Sequence, residues 1–214
     1  MKYSTKQLGK GLYNILYKIK IDNSIHNKEL RDNERIALEW LKNRNLGYIE
    51  NNKTSFNSID KLKIGIEAIR NGIEIKEIAE IYNWQDFEKF SAYILERNNY
   101  STINNFRTLK PRTEIDVIGI KLGKAIIIDC KHWAHTTESK LNNPVKKQIK
   151  RVQILSKKDF WSDNNISEII PIIVTLHNEK IIDIDNVPIV PIEQLNNFII
   201  NLDEFREIFT IYIN

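Results

Sequence analysis

A single cysteine in 214 residues excludes an internal disulfide and any zinc cluster built on cysteines. Only seven glycines are present, and there is no Gly-rich phosphate loop, no G-x-S-x-G and no nucleophile elbow. A small-molecule α/β enzyme of those types therefore has no support. No run of about 18 apolar residues occurs, so neither a membrane span nor a membrane partner is expected. The opening MKYSTKQLGKGLYNILYK is interrupted by charge and glycine and lacks a small-residue cleavage site. It does not read as a secretory leader, and a cytoplasmic location is expected. Internal repeats, low-complexity tracts and flexible linkers are absent too.

What is present is mildly basic: net charge +4 and a pI near 9.0. That permits a nucleic-acid partner without requiring one. The distribution says more. Lys140, Lys146, Lys147, Lys150, Arg151, Lys157 and Lys158 follow one another with no acid among them.

The segment from Glu114 to Trp133, EIDVIGIKLGKAIIIDCKHW, holds two apolar runs joined by Lys121-Leu122-Gly123-Lys124. Short Ile- and Val-rich runs bounded by glycine and charge predict paired strands of a hairpin. Side chains alternate across a strand, so Glu114, Asp116 and Ile118 share one face. Ile127, Asp129 and Lys131 share a face of the second strand, and Cys130 points the other way. A carboxylate among apolar neighbours needs a cation. An Asp–Lys ion pair at a strand end is one explanation. The order acid, turn, acid, any residue, lysine is also what a metal-dependent nuclease needs: two carboxylates for a hard divalent ion, and an amine to orient the attacking water.

The segment resembles the core of the PD-(D/E)xK nuclease superfamily, its Mrr-like and archaeal Holliday-junction-resolvase-like branch in particular. Asp116 matches the first acid and Asp129-Cys130-Lys131 the D-x-K, with Ile115 where a proline often sits. The resemblance implies a restriction endonuclease-like three-layer α/β sandwich around a mixed sheet. It implies Mg²⁺ (or Mn²⁺) held by Asp116 and Asp129, with Lys131 positioning water and DNA cut to 5′-phosphate and 3′-hydroxyl ends. A homodimer is implied by analogy only. An inactive nucleic-acid-binding or assembly protein on the same fold is the alternative.

Flanking elements bear on this. Residues 1–83 read as a smaller, mainly helical region. Helices are expected on Leu8, Leu12, Ile15, Leu16 and Ile19, over roughly 33–45, from Ser58 or Asp60 to Asn71-Gly72, and over 75–82. A small hairpin is expected in 46–56. The break at Asn71-Gly72 suggests a helix-turn-helix or winged-helix-like module; a purely packing role is the other reading, because the helix after the break carries three glutamates and one lysine.

The nuclease-like domain is expected over 84–214. Its first helix, WQDFEKFSAYILERNN, puts Trp84, Phe87, Ser91, Ala92, Ile94 and Leu95 on one arc, with Glu88 inside it and Asp86 and Glu96 on the polar side. The resemblance implies that Glu88 completes the metal shell. Strands follow at 100–109, 168–176 and 187–191. Asn142-Asn143-Pro144 predicts a helix start, and the helix buries Val145, Ile149, Val152 and Leu155. Gln148 lies on that arc, where the resemblance implies a residue supporting the site. Lys146, Lys147, Lys150 and Arg151 are read as phosphate contacts, and His132 as a contact to the scissile phosphate. His132 and His135 are spaced for zinc, but no third partner is apparent. Trp133 reads as core, loop anchor or base stack.

Overall fold

Leu8, Leu12, Ile15, Leu16 and Ile19 form the buried stripe of the first helix, α1 (Thr5–Asp22). Ser4 caps it, accepting a hydrogen bond from the Gln7 amide at 3.2 Å. This computed structural model describes residues 4–132, 137–157, 161, 165–176, 181–204 and 211–212. After α1 come β1 (Ser24–His26), a 3-10 turn, α2 (Asp32–Lys42), β2 (Tyr48–Glu50), β3 (Lys53–Ser55), α3 (Ser58–Arg70) and α4 (Ile75–Ile81). The strands make an antiparallel sheet in the order β1-β3-β2. Asn51 and Asn52 turn the β2–β3 hairpin at φ 45° and 66°, a conformation asparagine tolerates. The expected helices and hairpin are all there; β1, at three residues, is too short to show a period.

The chain forms two units, Met1–Asp86 and Phe87–Asn214, each with its own core. The division between them falls inside α5 (Trp84–Arg97). This explains two departures on that helix. Asp86, expected on a polar face, is buried and lies 3.8 Å from the equally buried Lys61 of the first unit. Trp84, expected in the apolar arc, is exposed. A helical wheel assumes one core for the whole helix, and its first turn belongs to the other one.

In the second unit α5 is followed by β4 (Ser101–Leu109), β5 (Arg112–Lys121), β6 (Lys124–Lys131), α6 (Glu138–Leu155), β7 (Glu168–Thr175), β8 (Ile182–Ile184), β9 (Val187–Pro191), α7 (Ile192–Ile200) and β10 (Ile211–Tyr212). The sheet runs β4-β5-β6-β7-β9-β8, with β10 also paired to β7. β6, β7 and β9 are parallel and the remaining pairs antiparallel, so the sheet is mixed. Val152 and Leu155 of α6 pack with Ile118 and Ile127 on one face, in a core that includes the fully buried Trp161. On the other face Cys130 Sγ lies 3.5 Å from Ser91 Oγ of α5, and Asn98, just past the end of α5, bonds Asn196 of α7. Helices on both faces make the expected three layers. Gly119 permits the close approach of α5: a Cβ there would meet Leu95 Cδ1 at 2.7 Å.

One helix starts earlier than its cap signal. α6 begins at Glu138, which puts Pro144 inside it instead of in the first turn. Leu141 supplies the reason. It is buried with Val145, Ile173, Val187 and Ile189, and Ile149 packs against that cluster. The apolar positions 141, 145 and 149 form a single stripe, and its burial outweighs the hydrogen bond that proline forgoes.

Candidate active site

The β5–β6 hairpin closes through Leu122 and Gly123, at φ 49° and 75°. Its paired register ends at Val117 against Ile128, so Asp116 and Asp129 are the next residues of the two strands. The Cys130 amide donates to Asp116 Oδ2 at 2.7 Å, tying the two acid-bearing strands together. Alternation turns Asp129 towards α6 while Cys130 faces α5.

Asp129 is 2% exposed. Lys131 Nζ lies 2.6 Å from its Oδ2, and Arg151 Nη1 donates to its Oδ1 at 2.5 Å. Each oxygen of this buried carboxylate thus has a cation beside it, with Oδ1 hydrogen-bonded and Oδ2 in an ion pair without hydrogen-bond geometry. Gln148, fully buried, donates to the carbonyls of Ile127 at 2.8 Å and Ile172 at 3.3 Å, and its Oε1 accepts from Arg151 at 3.3 Å. It spans two strands and steadies the arginine.

Glu88, from α5, is 7% exposed. Burial first, then the charges of Asp116, Glu114 and Asp129, push its carboxyl up to about 7, with Lys131 opposing. Burial and Asp129 likewise raise Asp116, opposed by the Cys130 amide, Lys131 and Arg151. Glu88, Asp116 and Asp129 therefore share one electrostatic neighbourhood with Lys131. Glu114, whose charge also bears on Glu88, is an exposed strand-end residue paired to Arg107 at 2.7 Å.

A cavity of about 270 Å³ opens beside Asp129 and Lys131, walled by Lys140, Asn143, Pro144, Lys147 and Arg151. A second, of about 280 Å³, shares Lys147 and Arg151 and adds Arg112, Thr113, Glu114, Lys150 and Ile154. Lys147, Lys150 and Arg151 thus line cavities at the acids, while Lys146 is exposed and lines neither. Arg112, Lys140 and Asn143 are neighbours of the site that sequence reading missed. Lys140 was missed because α6 was expected to begin after it, and Arg112 because a lone arginine at a hairpin turn has no pattern. His132 is half-buried, its ring edge-on to Phe87 at 5.3 Å. Trp133 and His135 lie outside the described residues.

Glu88, Asp116 and Asp129 offer only carboxylate oxygens, the donor class a hard divalent ion takes. Burial, the leading cause of both raised carboxyls, and the charge of neighbouring acids are costs that such an ion relieves. The donor chemistry fits. Among the described residues, however, no three His, Cys, Asp or Glu side chains stand together ready to hold a metal, and each oxygen of Asp129 has a cation beside it. No described helix is long and apolar enough to cross a membrane.

Residues 83–176 match the family model described as the nuclease-related domain, NERD. Among solved structures, the chain is similar to protein VC1899 from Vibrio cholerae, with 12% identity and a TM-score of 0.35 over 97% of this chain and 58% of that one. It is also similar to Can2 from Sulfobacillus thermosulfidooxidans, solved in complex with cyclic tetra-adenylate, with 15% identity and a TM-score of 0.36 over 92% and 50%. The chain spans about half the length of these structures. None of the curated proteins compared matches it.

Proposed function

We propose that the protein, whose residues 83–176 match the nuclease-related domain model, is a divalent-metal-dependent endonuclease hydrolysing phosphodiester bonds in DNA. The observation that carries this reading is the shared neighbourhood of Glu88, Asp116, Asp129 and Lys131 at the end of the β5–β6 hairpin, beside a cavity walled by cations. Glu88, Asp116 and Asp129 are the residues to hold Mg²⁺ or Mn²⁺. The bound ion supplies polarisation of the phosphate and a lowered pKa for water.

The chain's own side chains do the rest. Lys131, fixed by Asp129, orients the attacking water and meets the charge that develops on the phosphate. Gln148 holds β6 and β7 at the spacing that aims Asp129. Lys147, Lys150, Arg112 and Lys140 bind phosphates along the strand, and their charge steers nucleic acid to the cleft.

Plasmid cleavage in Mg²⁺ by wild type, Asp129→Ala and Lys131→Ala tests the assignment. Cutting by the wild type alone is expected; equal activity in all three sinks it. One observation favours the alternative, a binding or assembly protein without turnover: Lys131 and Arg151 together neutralise Asp129 with no metal needed. Wild type that binds DNA yet cuts no duplex, branched or single-stranded substrate supports that reading instead.

A further inference from the structure

We infer that Arg151 is the counter-ion a divalent cation displaces from Asp129, and that the displaced guanidinium becomes a contact for substrate phosphate. The inference rests on the metal-dependent reading above.

Asp129 is bracketed by two cations that differ in how they are held. Lys131 sits two residues along the same strand, its amine 2.6 Å from Oδ2. Arg151 reaches Oδ1 at 2.5 Å from a helix 22 residues away in sequence, and its side chain is 25% exposed. An ion ligated by Asp129 has to take one of these two oxygens. Exchanging Arg151 for it keeps the buried carboxylate neutralised throughout, whereas ejecting Lys131 removes the amine the proposed reaction uses.

Arg151 also has somewhere to go. It lies on the wall common to both cavities, and the second contains Arg112, Lys147 and Lys150. The acid in that second cavity, Glu114, is paired with Arg107. A guanidinium released from Asp129 therefore remains among phosphate-binding cations, with the fork geometry that suits a phosphate.

Two measurements test this. Calorimetric titration of Mn²⁺ without DNA compares wild type, Arg151→Met, Arg151→Gln, Arg151→Lys and Asp129→Asn. Removing the competing charge tightens Mn²⁺ binding ~10-fold in the Met and Gln variants, Lys restores wild-type affinity, and Asn at position 129 abolishes binding. Affinity within twofold of wild type in both neutral variants overturns the exchange while leaving the nuclease reading intact. Absence of binding in every protein overturns both. Fluorescence anisotropy on a short duplex then separates the two positions of the arginine. Arg151→Met binds as wild type does in EDTA, where Asp129 occupies the guanidinium, and more weakly than wild type in Ca²⁺. An equal deficit in both buffers overturns the release. Thermal unfolding in EDTA identifies any variant that fails to fold, and the second neutral variant then decides.

Discussion

The backbone amide of Cys130 donates to Asp116 Oδ2 at 2.7 Å, so the acid on β5 is held by the strand that carries Asp129. This bond does two things: it joins the two strands just beyond their last paired residues, and it restricts the direction of the Asp116 carboxylate.

Asp116→Asn keeps an acceptor for that amide and removes the charge, whereas Asp116→Ala leaves the amide without a partner. Asn is expected to unfold close to wild type in urea, and Ala to lose about 1–3 kcal/mol. Both should lose cleavage. Wild-type stability in the alanine variant counts against the bond.

Glu88 makes stability depend on pH. Its folded value of about 7 stands above the ordinary 4.5, so the folded protein holds this proton more tightly than the unfolded chain does. The resulting stabilisation is complete below the unfolded value and disappears as pH rises through about 7. Glu88→Gln, which cannot ionise, should gain stability relative to wild type across that window and plateau above it. On the proposed metal-dependent reading the carboxylate form of Glu88 is the active one, so wild-type cleavage rate should rise over the same range, with a lower midpoint at saturating Mg²⁺. Urea titrations and rates at matched pH values check both.

Gln148 is fully buried and gives its amide to two backbone carbonyls. Gln148→Leu removes the donor and leaves the carbonyls of Ile127 and Ile172 without it. A loss of about 1–3 kcal/mol is expected in denaturant titration. An unchanged midpoint means those carbonyls find other partners.

Lys146 and Lys147 are adjacent in sequence, yet only Lys147 lines the cavities. Lys147→Glu and Lys150→Glu should weaken duplex binding and lower the dependence of log affinity on log salt by about 0.9 per lost phosphate contact. Lys146→Glu should do neither. Equal effects at 146 and 147 would mean that net charge alone drives binding.

Much of the site was readable because it is local. D-x-K on one strand puts Asp129 and Lys131 on one face by the period of two, and Glu88 declared itself as a charge inside an apolar arc. What was misread depends on partners distant in the chain. Asp86 looked solvent-facing because Lys61, which meets it, lies on another helix. The start of α6 was placed by its proline, whereas Leu141 decides it by packing against β7 and β9. β8 and β1 are three residues each, below the length at which alternation shows.

By itself the sequence determined the periodicities, and with them the helices of the first unit, the hairpin and the inward carboxylates. The fold decided which cations those carboxylates meet. Arg151 reads in sequence as one of several basic residues on a helix, and only the phase at which α6 lies on the sheet turns it to Asp129 and leaves Lys146 in solvent. That phase comes from burying Leu141, Val145, Val152 and Leu155 together, a packing term spread over many residues and invisible in the neighbourhood of any one of them.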